Sequence, residues 1–363
     1  PILIGEEERI PPQEGRPLHL WTEKPVQQIV ERRLADGIRK YGAKEGSVVV
    51  IDPVSGGVLA SASSPSYDPR QYGQYDKSVY KSPVVAATYE PGSTFKTLIM
   101  AAAINEKLVT PDTVMDESGP VAVGPNTIRT WNNQYHGPIS MTQVLEYSSN
   151  VGMVDVARRL GKSTMLSYIR KFGFGKPTNI DLEEEASPEL RPDSQWQEID
   201  ELTASFGQGI AVTPIQMVSA VAALANGGKL MEPHVVKEIK DAKGKIISIK
   251  PKMVAQVVSP STASILAEMM VAAVDNGEAK WAKPRGYRIA GKTGTAQIPV
   301  AGHYDATKTI ASFVGFAPAD RPSFVMLVTL TEPTSSPWGS ETAAPLFFTI
   351  ARDLFTYWGI APQ

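Results

Sequence analysis

The 363-residue chain has no cysteine, which excludes disulfides and thiolate metal sites and fits an extracytoplasmic protein. Histidine is scarce. His19, His136, His234 and His303 lie far apart without metal-ligand spacing and read as ordinary surface or loop residues. No stretch reaches the ~18 consecutive apolar residues of a membrane helix, and the N-terminus lacks the basic-then-apolar pattern of a signal peptide. Excess charge is missing too, since 36 basic and 38 acidic side chains leave a formal net charge of -2. Nothing here resembles a nucleic-acid-binding surface. Pro1 is not a natural start, so a trimmed or mature fragment is expected.

What is present is apolar residue, 42% of the chain, enough for a large core in one big domain or two. Residues 1–22 are polar and proline-containing and read as a linker running into an extended strand. Val26, Ile29, Val30, Leu34 and Ile38 repeat at helical spacing, predicting a covering helix over 24–41. Two β-rich runs flank Asp52-Pro53-Val54-Ser55-Gly56 and predict a hairpin over 46–64. A long ordered loop is expected over 64–92 and mostly loop over 108–137. Helices are expected over 139–147, with Ser140 as cap, over 151–160, from Pro214 to Asn226, and over 260–275. Strands are expected over 287–296, 309–316 and 323–331, where β-branched and aromatic residues concentrate.

The stretch Tyr89-Glu90-Pro91-Gly92-Ser93-Thr94-Phe95-Lys96 precedes the apolar run Thr97 to Ile104. The Pro-Gly pair breaks what comes before, so Ser93 is predicted at the first turn of a buried helix, where free N–H groups favour an anionic oxygen. Lys96, three residues on, shares its helix face, so its amine is expected to reach the Ser93 hydroxyl as a base. Ser78-Val-Tyr-Lys81 has the same spacing but no long helical run behind it and reads as a decoy. Ser148-Ser149-Asn150 falls at a junction of two helical pieces. It either caps a helix or aims Ser148 and Asn150 at a common point. Lys292-Thr293-Gly294 falls on a strand; on an edge, its glycine would let a bound molecule approach and its lysine would meet a carboxylate.

Ser93-x-x-Lys96, Ser148-x-Asn150 and Lys292-Thr293-Gly294 in this order match the signature of penicillin-recognising serine enzymes. The longer strings, including Ser205-Phe206-Gly207-Gln208-Gly209 and Gly291 to Ala296, resemble the transpeptidase domain of class B penicillin-binding proteins from about Leu18 to the end. That resemblance implies an α+β fold, a five-stranded antiparallel sheet flanked by helices, with a mostly helical subdomain at roughly 70–280 inserted in a domain spanning 23–363. It implies a membrane anchor and pedestal outside this chain. The catalytic domain would sit on the periplasmic or extracellular face of the bacterial cytoplasmic membrane.

By the same resemblance, Ser93 attacks the penultimate D-alanine carbonyl of a peptidoglycan stem peptide and releases the terminal D-alanine. A second stem's amine then takes the acyl group. Lys96 would accept the serine proton, helped by burial and by the like charge of Lys292. Ser148 would relay a proton and Asn150 hold the substrate amide. The backbone N–H groups of Ser93 and Thr295 would form the oxyanion hole, while Thr293, Gly294 and Thr295 with Lys292 bind substrate. No cofactor or metal is implied. Partners implied are stem peptides ending in D-Ala-D-Ala, β-lactams as covalent inhibitors, and a membrane glycosyltransferase with other divisome or elongasome proteins.

The string from Ile310 to Pro318, with Trp338-Gly339-Ser340 and Ala343-Ala344-Pro345, looks more like the division-type branch than the elongation type, and elongation and sporulation stay open as alternatives. Two rival readings remain, a β-lactam sensor and a serine β-lactamase. The glutamates in Leu182-Glu183-Glu184-Glu185 could supply the lactamase with a base, although serine rather than aspartate at 149 favours the penicillin-binding reading.

Overall fold

The computed structural model describes residues 15–241, 243–300 and 303–362; most of the expected linker lies outside these. Its centre is a five-stranded antiparallel sheet in the order Ala290–Val300, His303–Ala317, Phe324–Thr331, Glu45–Ile51, Val58–Ser64. The hairpin read over 46–64 forms the last pair, with Val49 opposite Ser61. Side chains alternate across a strand, so the run Val48 to Ile51 divides between two cores. Val48 and Val50 pack with one face's helices, and Val49 and Ile51 with the other's.

On the first face lie the helices Lys24–Tyr41 and Ala343–Tyr357. The former buries Val26, Val30 and Leu34 as its periodicity requires and stops at Gly42, which takes the left-handed conformation (φ 61°). The latter was not among the sequence expectations. Its first turn contains Pro345, and its rings pack on the sheet, with Phe347 4.6 Å from Phe313 between centroids.

The other face carries Pro214–Ala225, Lys96–Asn105 and Pro260–Asn276. Thr213 and Gln216 form a capping box at the first of these, and Pro214 occupies its first turn. Lys96 to Ile104 is buried on every side, which places this helix inside the core rather than on it. Between Ser64 and Ala290 no strand among the described residues joins the central sheet.

Several elements differ from expectation. Residues 108–137 are more than loop: Val114–Glu117 pairs with Gly137–Ser140, and Val121–Val123 with Asn126–Ile128. Helices Lys162–Lys171 and Glu198–Ala204 and the short strands between 229 and 256 were also unread. His234 is not a surface residue: it is buried, donates from Nδ1 to the Glu232 carbonyl at 3.1 Å, and lies edge-on to Trp21.

Candidate active site

Ser93 lies in a 3-10 turn, Gly92–Phe95, that runs directly into the helix Lys96–Asn105. Its side chain is part-exposed, and its hydroxyl has no hydrogen-bond partner among the described residues. A second loop sets the turn. The Gly92 N–H donates to the Gly207 carbonyl at 3.0 Å, and Gly207 has φ +79°. A Cβ at Gly207 would stand 2.2 Å from the Gly92 oxygen and 2.6 Å from its nitrogen, and neither backbone atom can yield without moving Ser93. Gly207→Ala is therefore expected to destabilise the fold by about 2–4 kcal/mol and to slow acylation. Thermal unfolding and a β-lactam acylation rate test both effects.

Lys96 is fully buried, a state that lysine tolerates only with partners. Its Nζ donates to the Ser148 carbonyl at 2.5 Å and to Asn150 Oδ1 at 2.8 Å, with Ser148 Oγ at 3.4 Å. The expected hydrogen bond to Ser93 is absent; the long side chain takes the rotamer that satisfies these acceptors. Burial holds the amine well below the ordinary lysine value, and the nearby positive charge of Lys292 lowers it further, against smaller opposing effects from Glu278 and Glu117. A neutral amine has two N–H groups, the number used by the two short bonds. Its lone pair is left for a hydroxyl proton.

The second triplet divides its labour. Ser149 is the cap of the helix Asn150–Leu160, its side chain accepting from Gly152 N at 2.8 Å. Ser148 adopts φ +55°, unusual for a residue with a side chain, and presents both its oxygens to Lys96. Asn150 Nδ2 donates to the Arg129 carbonyl at 3.0 Å, which turns its oxygen toward the lysine. The capping and common-point readings thus both hold, for different residues. Behind them, Glu117 is fully buried and accepts from the His136 N–H at 3.2 Å and from Nδ1 at 2.7 Å. The His136 ring stacks on Tyr147, the neighbour of Ser148. Sequence reasoning missed Glu117, which lies 19 residues from its partner.

Lys292 lies on the edge strand of the sheet and is nearly buried. Its Nζ donates to Thr293 Oγ1 at 3.1 Å, and burial lowers its pKa to about 8 despite the opposing charge of Glu278. The glycine at 294 has a packing reason: a Cβ would meet Ser312 Oγ at 2.4 Å and the Pro91 carbonyl at 3.1 Å, so the strand is pressed onto the turn that carries Ser93. Thr295 Oγ1 accepts from Gly339 N at 2.9 Å.

The decoy is elsewhere. Ser78 lies in an exposed 3-10 turn and donates its backbone N–H to Asp76, while Lys81 pairs with Glu184 at 3.2 Å. Glu185 accepts from Thr178 and Asn179, so neither of these two glutamates bonds a residue of the three triplets.

A buried, deprotonation-prone lysine behind an unpartnered serine, flanked by a second cation on a sheet edge, is the apparatus of a serine acyl-transfer site. The family model of the penicillin binding protein transpeptidase domain matches residues 46–354, and the chain belongs to that family. It is similar to stage V sporulation protein D of Bacillus subtilis, at 38% identity over 97% of this chain and 55% of that protein. It is also similar to a peptidoglycan D,D-transpeptidase FtsI homolog of Mesostigma viride, at 33% identity over 95% of this chain and 62% of that one. The chain thus spans 55% and 62% of the length of these two relatives. Penicillin binding protein 3 from Mycobacterium tuberculosis, solved with aztreonam, superposes with a TM-score of 0.90 at 31% identity, covering 96% of this chain and 81% of that one. The transpeptidase domain of Burkholderia pseudomallei penicillin-binding protein 3 gives 0.83 at 28% identity, covering 95% and 97%.

Proposed function

We propose that this chain is a peptidoglycan D,D-transpeptidase that works through an acyl-enzyme on Ser93. The observation that carries the reading is Lys96, buried and held by Ser148 and Asn150 with its pKa lowered, one helical turn from a serine hydroxyl that has no hydrogen-bond partner among the described residues. Ser93 Oγ attacks the carbonyl of the penultimate D-alanine and its proton passes to Lys96. Ser148 Oγ, 3.4 Å from the amine, delivers a proton to the departing D-alanine nitrogen. An acceptor amine then attacks the ester and regenerates Ser93. Backbone N–H groups of Ser93 and Thr295 stabilise the oxyanion, a contribution of about 3–4 kcal/mol for one good donor. Lys292, Thr293 and Thr295 bind the carboxylate, and Gly294 keeps that strand against the nucleophile turn.

One relative is named for sporulation and another as a peptidoglycan D,D-transpeptidase; we assign the septal role on the division-type strings around Ile310 and Trp338. We read residues 70–280 as the helical subdomain. Among the described residues no helix is long and apolar enough to cross a membrane. Membrane anchoring and contact with a glycosyltransferase are proposed on the family resemblance alone.

The test is intact mass over time with benzylpenicillin, followed by peptide mapping and a stem-peptide turnover assay. A persistent one-to-one adduct on Ser93 with stem-peptide cross-linking is expected. Rapid hydrolysis of penicillin would move the chain to the β-lactamases, a stable adduct without cross-linking to the sensors, and an adduct on Ser78 would overturn the site.

A further inference from the structure

Beside the three triplets lies a cavity of about 340 Å³, walled by Trp131, Tyr147 and Trp281 and bearing Glu146, Glu278 and Lys280. Three links tie its lining to the catalytic residues. Tyr147 immediately precedes Ser148. The Trp131 ring lies 4.9 Å from that of Trp338, whose neighbour Gly339 binds Thr295. The Arg129 carbonyl, two residues from Trp131, holds Asn150.

The charges of this cavity oppose those of the cleft. Lys292 supplies the cation of the cleft, whereas the cavity carries two carboxylates against one exposed lysine. Glu146 already accepts from Asn276 Nδ2 at 2.6 Å. Glu278 has no hydrogen bond or ion pair among the described residues, and its Oε1 is shielded from solvent. Its charge already acts at longer range on Lys96 and Lys292, so this carboxylate lies between cleft and cavity, and a cation that donates to it supplies the hydrogen bond it lacks.

We propose that this cavity is the acceptor subsite and holds the primary ammonium of the amine-bearing acceptor stem; the proposal rests on the transpeptidase reading. An anionic donor terminus is repelled here and drawn to Lys292. An alkylammonium is matched by a carboxylate and by aromatic faces, of which the Trp281 ring is 64% exposed. As the chain of the acceptor swings toward the acyl-enzyme, the ammonium gives one proton to water. The amine nitrogen bonds the acyl carbon, its second proton passes through Lys96 to Ser93 Oγ, and the ester C–O bond breaks.

The experiment acylates the chain with an N-acyl-D-alanyl thioester and offers two nucleophiles at pH 7, Nα-acetyl-lysine amide, a cation, and hydroxylamine, which is neutral. Glu278→Gln is expected to lower selectivity for the lysine amine over hydroxylamine about tenfold, the effect of ~1.4 kcal/mol of lost attraction. Trp281→Ala, on the exposed wall, is expected to lower it about threefold and guards against a folding defect in the first variant. Unchanged selectivity in both variants, or equal loss for both nucleophiles, overturns the subsite while leaving the transpeptidase reading intact. A parent chain that transfers to neither nucleophile overturns the reading and the subsite together.

Discussion

Lys96→Met is expected to slow acylation of Ser93 by benzylpenicillin roughly a thousandfold at neutral pH while leaving a folded chain. A positioned general base contributes about 10²–10⁴ in rate, and Lys96 is the buried amine three residues from the nucleophile. A thousandfold corresponds to ~4 kcal/mol at the transition state. Stability follows a different ledger. Methionine fills a similar volume, so little cavity forms, but the Ser148 carbonyl and Asn150 Oδ1 each lose a donor, at ~1–3 kcal/mol apiece. The variant no longer carries a desolvated amine, which offsets part of that loss. Melting temperature should therefore fall by a few degrees where the rate falls by three orders of magnitude. Stopped-flow or mass-resolved acylation beside a thermal melt separates the two, and a variant that acylates within tenfold of the parent removes Lys96 from the role of base. Lys96→Arg should not rescue the rate, because a guanidinium stays charged and offers no lone pair.

Much of this arrangement was legible because the chemistry repeats local rules. Pro91-Gly92 before an apolar run specified a helix start, and three-residue spacing put Lys96 on the side of Ser93. The family resemblance, not any local rule, set Lys292 near Lys96 and so gave the direction of its pKa. Ser140 was readable as a cap and Pro214 as a first-turn proline from their places before an apolar run. What stayed illegible depends on distance along the chain or on rotamers. Spacing gives a face, not the direction in which four methylenes run, so the turn of the Lys96 amine toward Ser148 rather than Ser93 could not be read. Glu117 and His136 meet only because the strand Val114–Glu117 pairs with Gly137–Ser140, strands of four residues whose alternation is too brief to stand out from loop. Glu278 follows the scaffold helix Pro260–Asn276 and carries no local motif; the folded chain brings it to the cavity. The packing reason for Gly294 went unread for the same cause, since its crowding comes from Pro91 and Ser312 on other segments.

Lys292 should give the rate profile its falling limb. Its folded-state pKa is about 8, so in the free enzyme it is charged below that pH and neutral above it. The second-order acylation constant for a carboxylate-bearing β-lactam reports free-enzyme groups, and it should therefore decline above pH about 8, after rising at lower pH as Lys96 loses its proton. Lys292→Met should remove the falling limb and, by taking away a like charge, move the rising limb to higher pH. At pH 7 the two changes act together, and losing a charge-assisted contact of ~1.5–3 kcal/mol predicts about a 10- to 100-fold slower reaction. Stability should move the other way. The unfolded chain holds this proton up to about pH 10.5 and the folded chain only to about 8, so between those values the unfolded state binds more protons and stability rises with pH. Below pH about 8 the full cost of burying the ammonium is present, ~3 kcal/mol. The methionine variant does not carry it and should be more stable than the parent at pH 7 by about 1–3 kcal/mol, an advantage that shrinks toward pH 10. Denaturant melts at pH 7 and pH 10 beside acylation rates from pH 6 to 10 check both halves. A methionine variant that kept the falling limb near pH 8 would assign that titration to another group and release Lys292 from the carboxylate.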